Sequence, residues 1–331
     1  MIGAGSVEML LRVKNLKKYF PITGGIIPRV ISNLKAVDGV DLHIQRGETL
    51  GIVGESGCGK TTLGRVILGL IDRTDGEVIF KNVNLTQCSA KEYRQMRRHM
   101  QIIFQDPFAS LHPRLTVSRL IEEPMKIHGI GTAKERKARV EDLINIVGLS
   151  SDHLPKYPHE FSGGQQQRIG IARALALNPD LVICDEPVSA LDVSIRSQIL
   201  NLLADLQEKY DLTYMFISHD LAVVRHVCDT VGVMYLGQLV EVASVDELYA
   251  SPLHPYTEAL FSAIPRTDPT LKRERIVLSG EVPSPVDIPA GCRFQSRCRY
   301  RMDVCKEHEP NLIDRGREHY IRCHLHDQTA T

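Results

Sequence analysis

The amino-acid sequence predicts an α/β protein built on a parallel sheet, and three stretches carry that prediction. The first is the run 54–62, Gly-Glu-Ser-Gly-Cys-Gly-Lys-Thr-Thr, which sits between the apolar run Leu50-Gly51-Ile52-Val53 and a helical pattern of Leu63, Val66, Ile67 and Leu70. The second is Leu181-Val182-Ile183-Cys184, fully apolar as a buried parallel strand requires, ending in Asp185-Glu186. The third is 214–218, which repeats the pattern and ends in His219-Asp220. Polar residues delivered by apolar strands to one sheet edge are where α/β sheets bind ligands.

A chain of 331 residues has room for two domains, or for one large domain with an appendage. Lys+Arg and Asp+Glu balance at 40 each, so there is no basic field to attract nucleic acid and no acidic tail to suggest disorder. Met1 to Val7 carry no cationic leader, and no run approaches the ~18 apolar residues of a membrane span. The expectation is a protein of the cytosol or peripheral to a membrane. Eight cysteines in a reducing compartment argue against a disulfide framework and direct attention to metal or cofactor binding.

In chain order, residues 8–20 alternate as a strand does and end on Tyr19-Phe20. The segment 21–34, rich in Gly, Pro and Ile, reads as an irregular loop before a second strand over 36–44. Arg46-Gly47-Glu48 is a turn into the strand that feeds the glycine-rich run, and 76–80 is a further short strand. Arg94, Arg97, Arg98 and His99 form a basic run on a helix, read as a solvated face. A strand over 100–104 delivers Gln105-Asp106-Pro107. From 116 to about 146 the period is helical, with a break at Gly129-Ile130-Gly131, and Pro155-Lys156-Tyr157-Pro158 closes that region. Phe161-Ser162-Gly163-Gly164-Gln165 then runs into the helical pattern Ile169, Ile171, Ala172, Leu175.

The chemistry follows from these placements. The run 54–62 satisfies G-x-x-x-x-G-K-[ST], in which glycines expose successive backbone N–H groups to phosphate oxygens and adopt dihedrals a Cβ forbids. The following helix adds its positive end. Lys60 then reaches the β and γ phosphates, and the Thr61 hydroxyl completes part of a Mg²⁺ shell. Ser162-Gly163-Gly164-Gln165 at a helix start reads either as a second anion site or as an ordinary N-cap. Asp185 is placed to hold Mg²⁺, directly or through water, and Glu186 to orient or deprotonate an attacking water; the alternative is a polar strand end that caps a helix.

In this order the stretches resemble the nucleotide-binding subunit of an ABC transporter. The residues 54–61 resemble its Walker A motif, which implies ATP contacts from Gly54, Glu55, Ser56, Gly57, Cys58, Gly59, Lys60, Thr61 and Thr62. Gln105 resembles the Q-loop, Ser162, Gly163, Gly164 and Gln165 the signature motif (with Phe161 where Leu is usual), and 181–185 Walker B. Glu186 then stands at the catalytic glutamate, Ser189-Ala190-Leu191-Asp192 at the D-loop and His219 at the switch histidine, while Phe20, with Tyr19 as the alternative, stands at the aromatic that stacks on adenine. The resemblance implies a P-loop NTPase (RecA-like) ABC nucleotide-binding domain over 8–251, with an inserted helical subdomain near 107–178 and a small Cys-rich C-terminal extension over 252–331. It also implies catalysis by Glu186, His219 and Gln105, and Mg²⁺ held by Thr61, Gln105 and Asp185.

The partners implied are an identical or paralogous ATPase subunit in a head-to-tail dimer, where the signature motif of one chain caps the ATP of the other. Two transmembrane permease subunits receive the motion at the cytoplasmic face of the inner membrane, and an extracytoplasmic solute-binding protein acts indirectly. The run 105–113, His254-Pro255-Tyr256-Thr257, and Val282-Pro283-Ser284-Pro285 leading into Gly291-Cys292 resemble the dipeptide/oligopeptide importer branch, whose relatives also move nickel. Within it, 57–63 is more similar to the second of the two paired ATPase subunits. A soluble ABC ATPase of DNA repair or translation is the rival reading; it would need a long coiled-coil insertion, a zinc hook or a second cassette.

Cys292, Cys298, Cys305 and Cys323 form a cluster with spacing C-x5-C-x6-C-x17-C. It lacks the paired C-x2-C of a zinc ribbon, whereas four thiolates suit a [4Fe–4S] cluster; zinc and unligated or disulfide-paired thiols are the alternatives. Arg293, Arg297, Arg299, Arg301 and Lys306 surround the first three against Asp303, an excess that would offset the anionic cluster. Some ATPase subunits of the importer branch carry such a cluster, which the resemblance extends to this chain. Cys58, Cys88, Cys184 and Cys228 read as lone residues.

Overall fold

Short, largely apolar runs make the buried strands. Thr49–Val53, Leu181–Asp185 and Thr213–Ile217 are buried at every position, as strands covered on both faces are. A computed structural model describes residues 8–24, 29–263 and 276–327. The chain divides into two compact units, one formed chiefly by Ile44–Glu48 and Asn84–Phe216, the other by Leu11–His43, Thr49–Val83 and the residues from Ile217 onward.

In the first unit Met100–Ile103 pairs in parallel with Leu181–Asp185, Met100 opposite Leu181 and Ile103 opposite Cys184, and Thr213–Ile217 lies on the other side of Leu181–Asp185. The helices Val117–Ile127, Ala133–Ile146 and Gly163–Leu175 pack on one another. They do so through apolar residues at helical spacing: Val117, Leu120, Ile121 and Met125 on the first, Val140, Leu143 and Ile144 on the second. The predicted break at 129–131 is real. Gly129 turns the chain at φ 65°, and Thr132 opens the next helix with a capping box to Glu135. The basic run begins on the helix Ala90–Arg97, which buries none of its residues, but His99 lies beyond that helix with Nδ1 2.9 Å from Asp180 Oδ2. A second link to the same carboxylate comes from Arg46 Nη1 at 3.2 Å.

Among the described residues the second unit contributes strands to two sheets. One has the order Arg29–Gln45, Met9–Gly24, Asp75–Phe80, Val83–Asn84. The expected irregular loop over 21–34 is a correction: strand continues to Gly24 and resumes at Arg29, and 25–28 lie outside the described residues. Gly and Pro in that stretch pointed to a loop, yet an exposed ribbon tolerates them because only one edge of each strand needs a partner. In the other sheet Thr49–Val53 pairs in parallel with Thr230–Tyr235, Leu50 opposite Thr230 and Val53 opposite Val233. Thr230–Tyr235 pairs antiparallel with Gln238–Ser244, followed by Tyr320–Ile321 and Ile313–Asp314. The last part of the chain therefore extends this sheet.

Two buried groups hold that last part in place. Tyr235, Tyr256 and Phe294 meet with ring centroids 4.7 to 5.4 Å apart, a contact worth about 0.5–1.5 kcal/mol per pair beyond the burial itself. Glu241 is fully buried, and its carboxylate accepts hydrogen bonds from the backbone N–H of Leu253 at 2.7 Å, of His254 at 2.9 Å and from His319 Nε2 at 2.8 Å. A buried carboxylate without such donors would destabilise the fold by several kcal/mol. Among the described residues no helix is long and apolar enough to cross a membrane.

His254 caps the helix Pro255–Ser262 by accepting the Tyr256 N–H at Nδ1. Burial lowers its pKa to about 4, against the opposing pull of Glu241. The folded state thus binds this proton less readily than the unfolded chain does. Its contribution to stability is complete above the unfolded value of about 6.5 and declines as pH falls from there towards 4, by at most about 3 kcal/mol. Chemical denaturation at pH 7 and pH 4.5 checks this: His254→Asn, which keeps a cap acceptor without the titration, is expected to flatten the slope.

Candidate functional site

The glycine-rich run leaves the strand Thr49–Val53 and enters the helix Lys60–Ile67. At Gly54 (φ 151°) an added Cβ would lie 2.2 Å from the carbonyl oxygen of Met234, and at Gly59 (φ 114°) 2.1 Å from that of Ala36. Both positions are therefore glycine for two reasons, the left-handed backbone and the close approach of another main chain. Gly57 (φ 79°) faces open space instead. Lys60 is buried and curls over the loop, donating from Nζ to the carbonyl oxygens of Gly54 at 2.8 Å and Glu55 at 3.0 Å. Cys58 is buried beneath it, Sγ 3.8 Å from Lys60 Nζ, and burial pushes its thiol up, so it behaves as a small apolar residue. Thr61 lies in the first turn of the same helix.

Glu55 is held from both ends. Its backbone N–H donates to the Tyr256 hydroxyl at 2.9 Å, and its carboxylate takes Arg297 in a fork, Nη1 at 2.8 Å and Nη2 at 3.1 Å. The Tyr19 hydroxyl donates to Asp38, which also accepts Arg293 Nη2. Burial alone would raise the Asp38 carboxyl, but the Tyr19 and Arg293 hydrogen bonds outweigh it and keep the pKa below the ordinary value. Phe20 is half-buried with Lys18 Nζ 4.8 Å above its ring, and His219 is exposed just ahead of the helix Leu221–Val227, which Asp220 caps.

In the first unit Asp185 ends its strand at 2 % exposure, and Glu186 follows with φ 48°. That left-handed residue turns the chain sharply, so the two carboxylates leave the backbone in different directions. Gln105 Nε2 donates to Glu186 Oε2 at 3.0 Å. The structure thus brings two predicted residues, 81 positions apart, into direct contact. Ser162 forms a capping box with Gln165 at the start of Gly163–Leu175, its hydroxyl accepting the Gln165 N–H at 3.4 Å and its own N–H donating to Gln165 Oε1 at 3.0 Å. The N-cap reading and the anion reading therefore share one helix start. Gly164 has a packing reason to be glycine, since a Cβ there would lie 2.4 Å from Ile195 Cγ2. Asp192 is exposed at the N-cap position of Val193–Tyr210, without a side-chain cap bond.

The four-cysteine cluster needs a correction. Burial pushes the Cys292 thiol up to about 11 and the Cys323 thiol up to about 12, with the neighbouring cysteines adding to each; Cys298 is raised in the same way. Among the described residues, however, no group of three or more His, Cys, Asp or Glu side chains is arranged to hold a metal ion. The cations expected to offset an iron–sulfur charge also have other partners: Arg297 on Glu55, Arg293 on Asp38, Arg299 on Glu258 and Lys306 on Asp303. The described residues therefore give no support to a [4Fe–4S] cluster or zinc at these cysteines, and four of the cations counted towards it are already engaged by carboxylates.

The residues that sequence reasoning missed are Tyr256 and Arg297, which hold Glu55 of the loop, and Arg293, Asp38 and Glu241, which tie the C-terminal residues to the second unit. Tyr256 lay in a conspicuous stretch and the arginines in a conspicuous charge run, but nothing in the linear pattern said which carboxylate each would meet.

A cassette of this kind has known relatives. The family described as "ABC transporter" matches residues 37–189, and the one described as "Oligopeptide/dipeptide transporter, C-terminal region" matches residues 240–305. A dimeric ATP-binding cassette in a post-hydrolysis state, bound to ADP and Pi, has 30 % identity and a TM-score of 0.63 over 71 % of this chain and 99 % of that one. The fold is that of an ABC ATPase. Over almost its whole length the chain is also 52 % identical to the oligopeptide transport ATP-binding protein AppF of Bacillus subtilis (98 % of this chain, 99 % of the relative) and 47 % identical to the dipeptide transport ATP-binding protein DppF of Haemophilus influenzae (95 % and 96 %). It belongs to the ABC transporter ATP-binding proteins of the oligopeptide/dipeptide importer family.

Gly164→Ala is expected to lower stability by about 1–3 kcal/mol through overpacking, and Ile195→Ala in the same chain to restore part of it. Urea denaturation midpoints of the two single variants and the double variant measure the coupling.

Proposed function

We propose that the chain binds and hydrolyses ATP to energise the import of di- or oligopeptides. The observation that carries this reading is the intact pair of devices on either side of hydrolysis: a glycine-rich loop with Lys60 curled over it, and Glu186 held by Gln105. The names of the relatives supply the solute class and favour peptides over nickel, DNA repair or translation.

In this reading Lys60 leaves the Gly54 and Glu55 carbonyls for the β and γ phosphates, the backbone N–H groups of 54–62 line the triphosphate, and Phe20 stacks on adenine. Glu186 orients or deprotonates the attacking water, with Gln105 fixing its carboxylate and His219 as a further catalytic group near the γ-phosphate. Thr61, Gln105 and Asp185 would hold Mg²⁺, and the donor set fits a hard cation because it consists of a hydroxyl, an amide oxygen and a carboxylate. When bound, that ion supplies charge neutralisation at the β and γ phosphates. Ser162, Gly163, Gly164 and Gln165 act on the ATP of a partner ATPase, identical or paralogous, beside Asp192. A structural relative solved as a dimer supports this arrangement.

The two transmembrane permease subunits and the extracytoplasmic solute-binding protein follow from the importer family, as does a peripheral position on the cytoplasmic face of the membrane. The domain division proposed is a cassette over 8–251, its helical subdomain near 107–178, and a C-terminal extension over 252–331, of which 264–275 and 328–331 lie outside the described residues.

Glu186→Gln tests the chemistry. ATP affinity is expected to stay within about threefold while turnover falls by about a hundredfold or more, the usual range for a lost general base. Undiminished hydrolysis removes Glu186 from this role. For Cys292, Cys298, Cys305 and Cys323 the iron–sulfur reading is supported by the spacing of four cysteines in one short stretch of the sequence. Iron, sulfide and zinc analysis of protein purified without oxygen decides it: about four irons per chain establish the cluster, and their absence leaves a set of structural thiols.

A further inference from the structure

Arg297 lies far from the glycine-rich loop in sequence and next to a cysteine, so nothing in the linear pattern attaches it to nucleotide binding. In the fold it is 8 % exposed and forks onto both carboxylate oxygens of Glu55, the second residue of the loop, at 2.8 and 3.1 Å. Fork geometry is the strongest form of this pairing, because two parallel charge-assisted bonds fix position as well as charge. The backbone N–H of Glu55 donates to the hydroxyl of Tyr256, whose ring is fully buried and meets Tyr235 at 4.7 Å, and the Arg297 guanidinium lies 6.0 Å from the Tyr235 ring. On its other side, the Glu55 carbonyl oxygen accepts Lys60 Nζ at 3.0 Å. One residue of the loop is therefore gripped by the C-terminal part of the chain at side chain and N–H, while its carbonyl carries the lysine.

We propose that Arg297 is a positioning residue for ATP binding: by pairing with Glu55 it neutralises a carboxylate in the phosphate loop and fixes the loop's shape, so that the C-terminal residues set nucleotide affinity. The inference rests on 54–62 being the ATP phosphate loop. A free carboxylate one residue from the Gly54 carbonyl that seats Lys60 would repel a polyphosphate and compete for that lysine. Arg297 removes both effects. A lysine at 297 would carry the charge without the fork, so it would restore the neutralisation better than the shape.

The test is calorimetric titration of the full-length chain with Mg·ATP, together with turnover at saturating ATP. Arg297→Met is expected to weaken ATP binding about tenfold, with turnover at saturation within about twofold of the unmodified protein, and Arg297→Lys to lie between the two. Adding Glu55→Gln to Arg297→Met is expected to bring the affinity back to within about threefold, because the repelling charge is gone. A purely structural role predicts the opposite, a double variant as weak as Arg297→Met or weaker, and that result overturns the proposal, as does unchanged affinity in Arg297→Met. Should Arg297→Met fail to fold, Arg297→Lys gives the answer: affinity weakened by several-fold with turnover at saturation kept supports the proposal, and unchanged affinity sinks it. Lys60→Ala separates the two levels. If the unmodified protein binds ATP and Lys60→Ala does not, the loop reading stands whatever Arg297 does; if the unmodified protein binds none, the loop reading falls and this inference with it.

Discussion

A carboxylate taken out of water must be met by donors, and in the second unit that constraint organises much of the structure. Three carboxylates there are met by groups from later in the chain. Glu241 takes two backbone N–H groups and His319, Asp38 takes Arg293, and Glu55 takes Arg297. Each of these pairs would be destabilising if one member were missing, because the survivor would keep its desolvation without its partner. The C-terminal residues are thus bound to the unit by charge and hydrogen bonding as well as by the Tyr235, Tyr256 and Phe294 rings and by the hairpin that extends the sheet.

That arrangement changes the meaning of the arginines near the cysteines. As a linear run they form a local cationic excess, the kind of field that accompanies an anionic cofactor. In three dimensions four of the cations reach carboxylates, two of which lie more than two hundred positions away. Charge that stabilises a loop is not also available to balance a cluster. Burial is the main cause that raises the Cys292 and Cys323 thiols.

In the first unit the controlling feature is backbone geometry at a strand end. Asp185 closes a strand buried throughout, and the left-handed Glu186 immediately redirects the chain, so one short step supplies two carboxylates with different surroundings. Strain of this kind persists only where neighbouring structure holds it. Gln105 on the carboxylate and Ser189, which donates its N–H to the Glu186 carbonyl at 3.2 Å, are such neighbours. The helix start at Ser162 shows a related economy: the capping box that ends the loop is built from the residues proposed to face a second nucleotide, and Gly164 is required by the Ile195 contact in any case.

The sequence by itself determined the α/β class, the strand-loop-helix around Lys60, the strand ends at Asp185 and His219, and the helical region broken at Gly129. These depend on patterns a few residues long: apolar runs, 3.6-residue periodicity, and glycines where a Cβ has no room. It misread 21–34, because Gly and Pro mark loops only on average and an exposed ribbon accepts them. The tertiary structure alone decided the pairings: Gln105 with Glu186, Arg297 with Glu55, Arg293 with Asp38, and His319 with Glu241. A charge in a sequence has many possible partners, and which one it meets depends on distances that only the folded backbone sets.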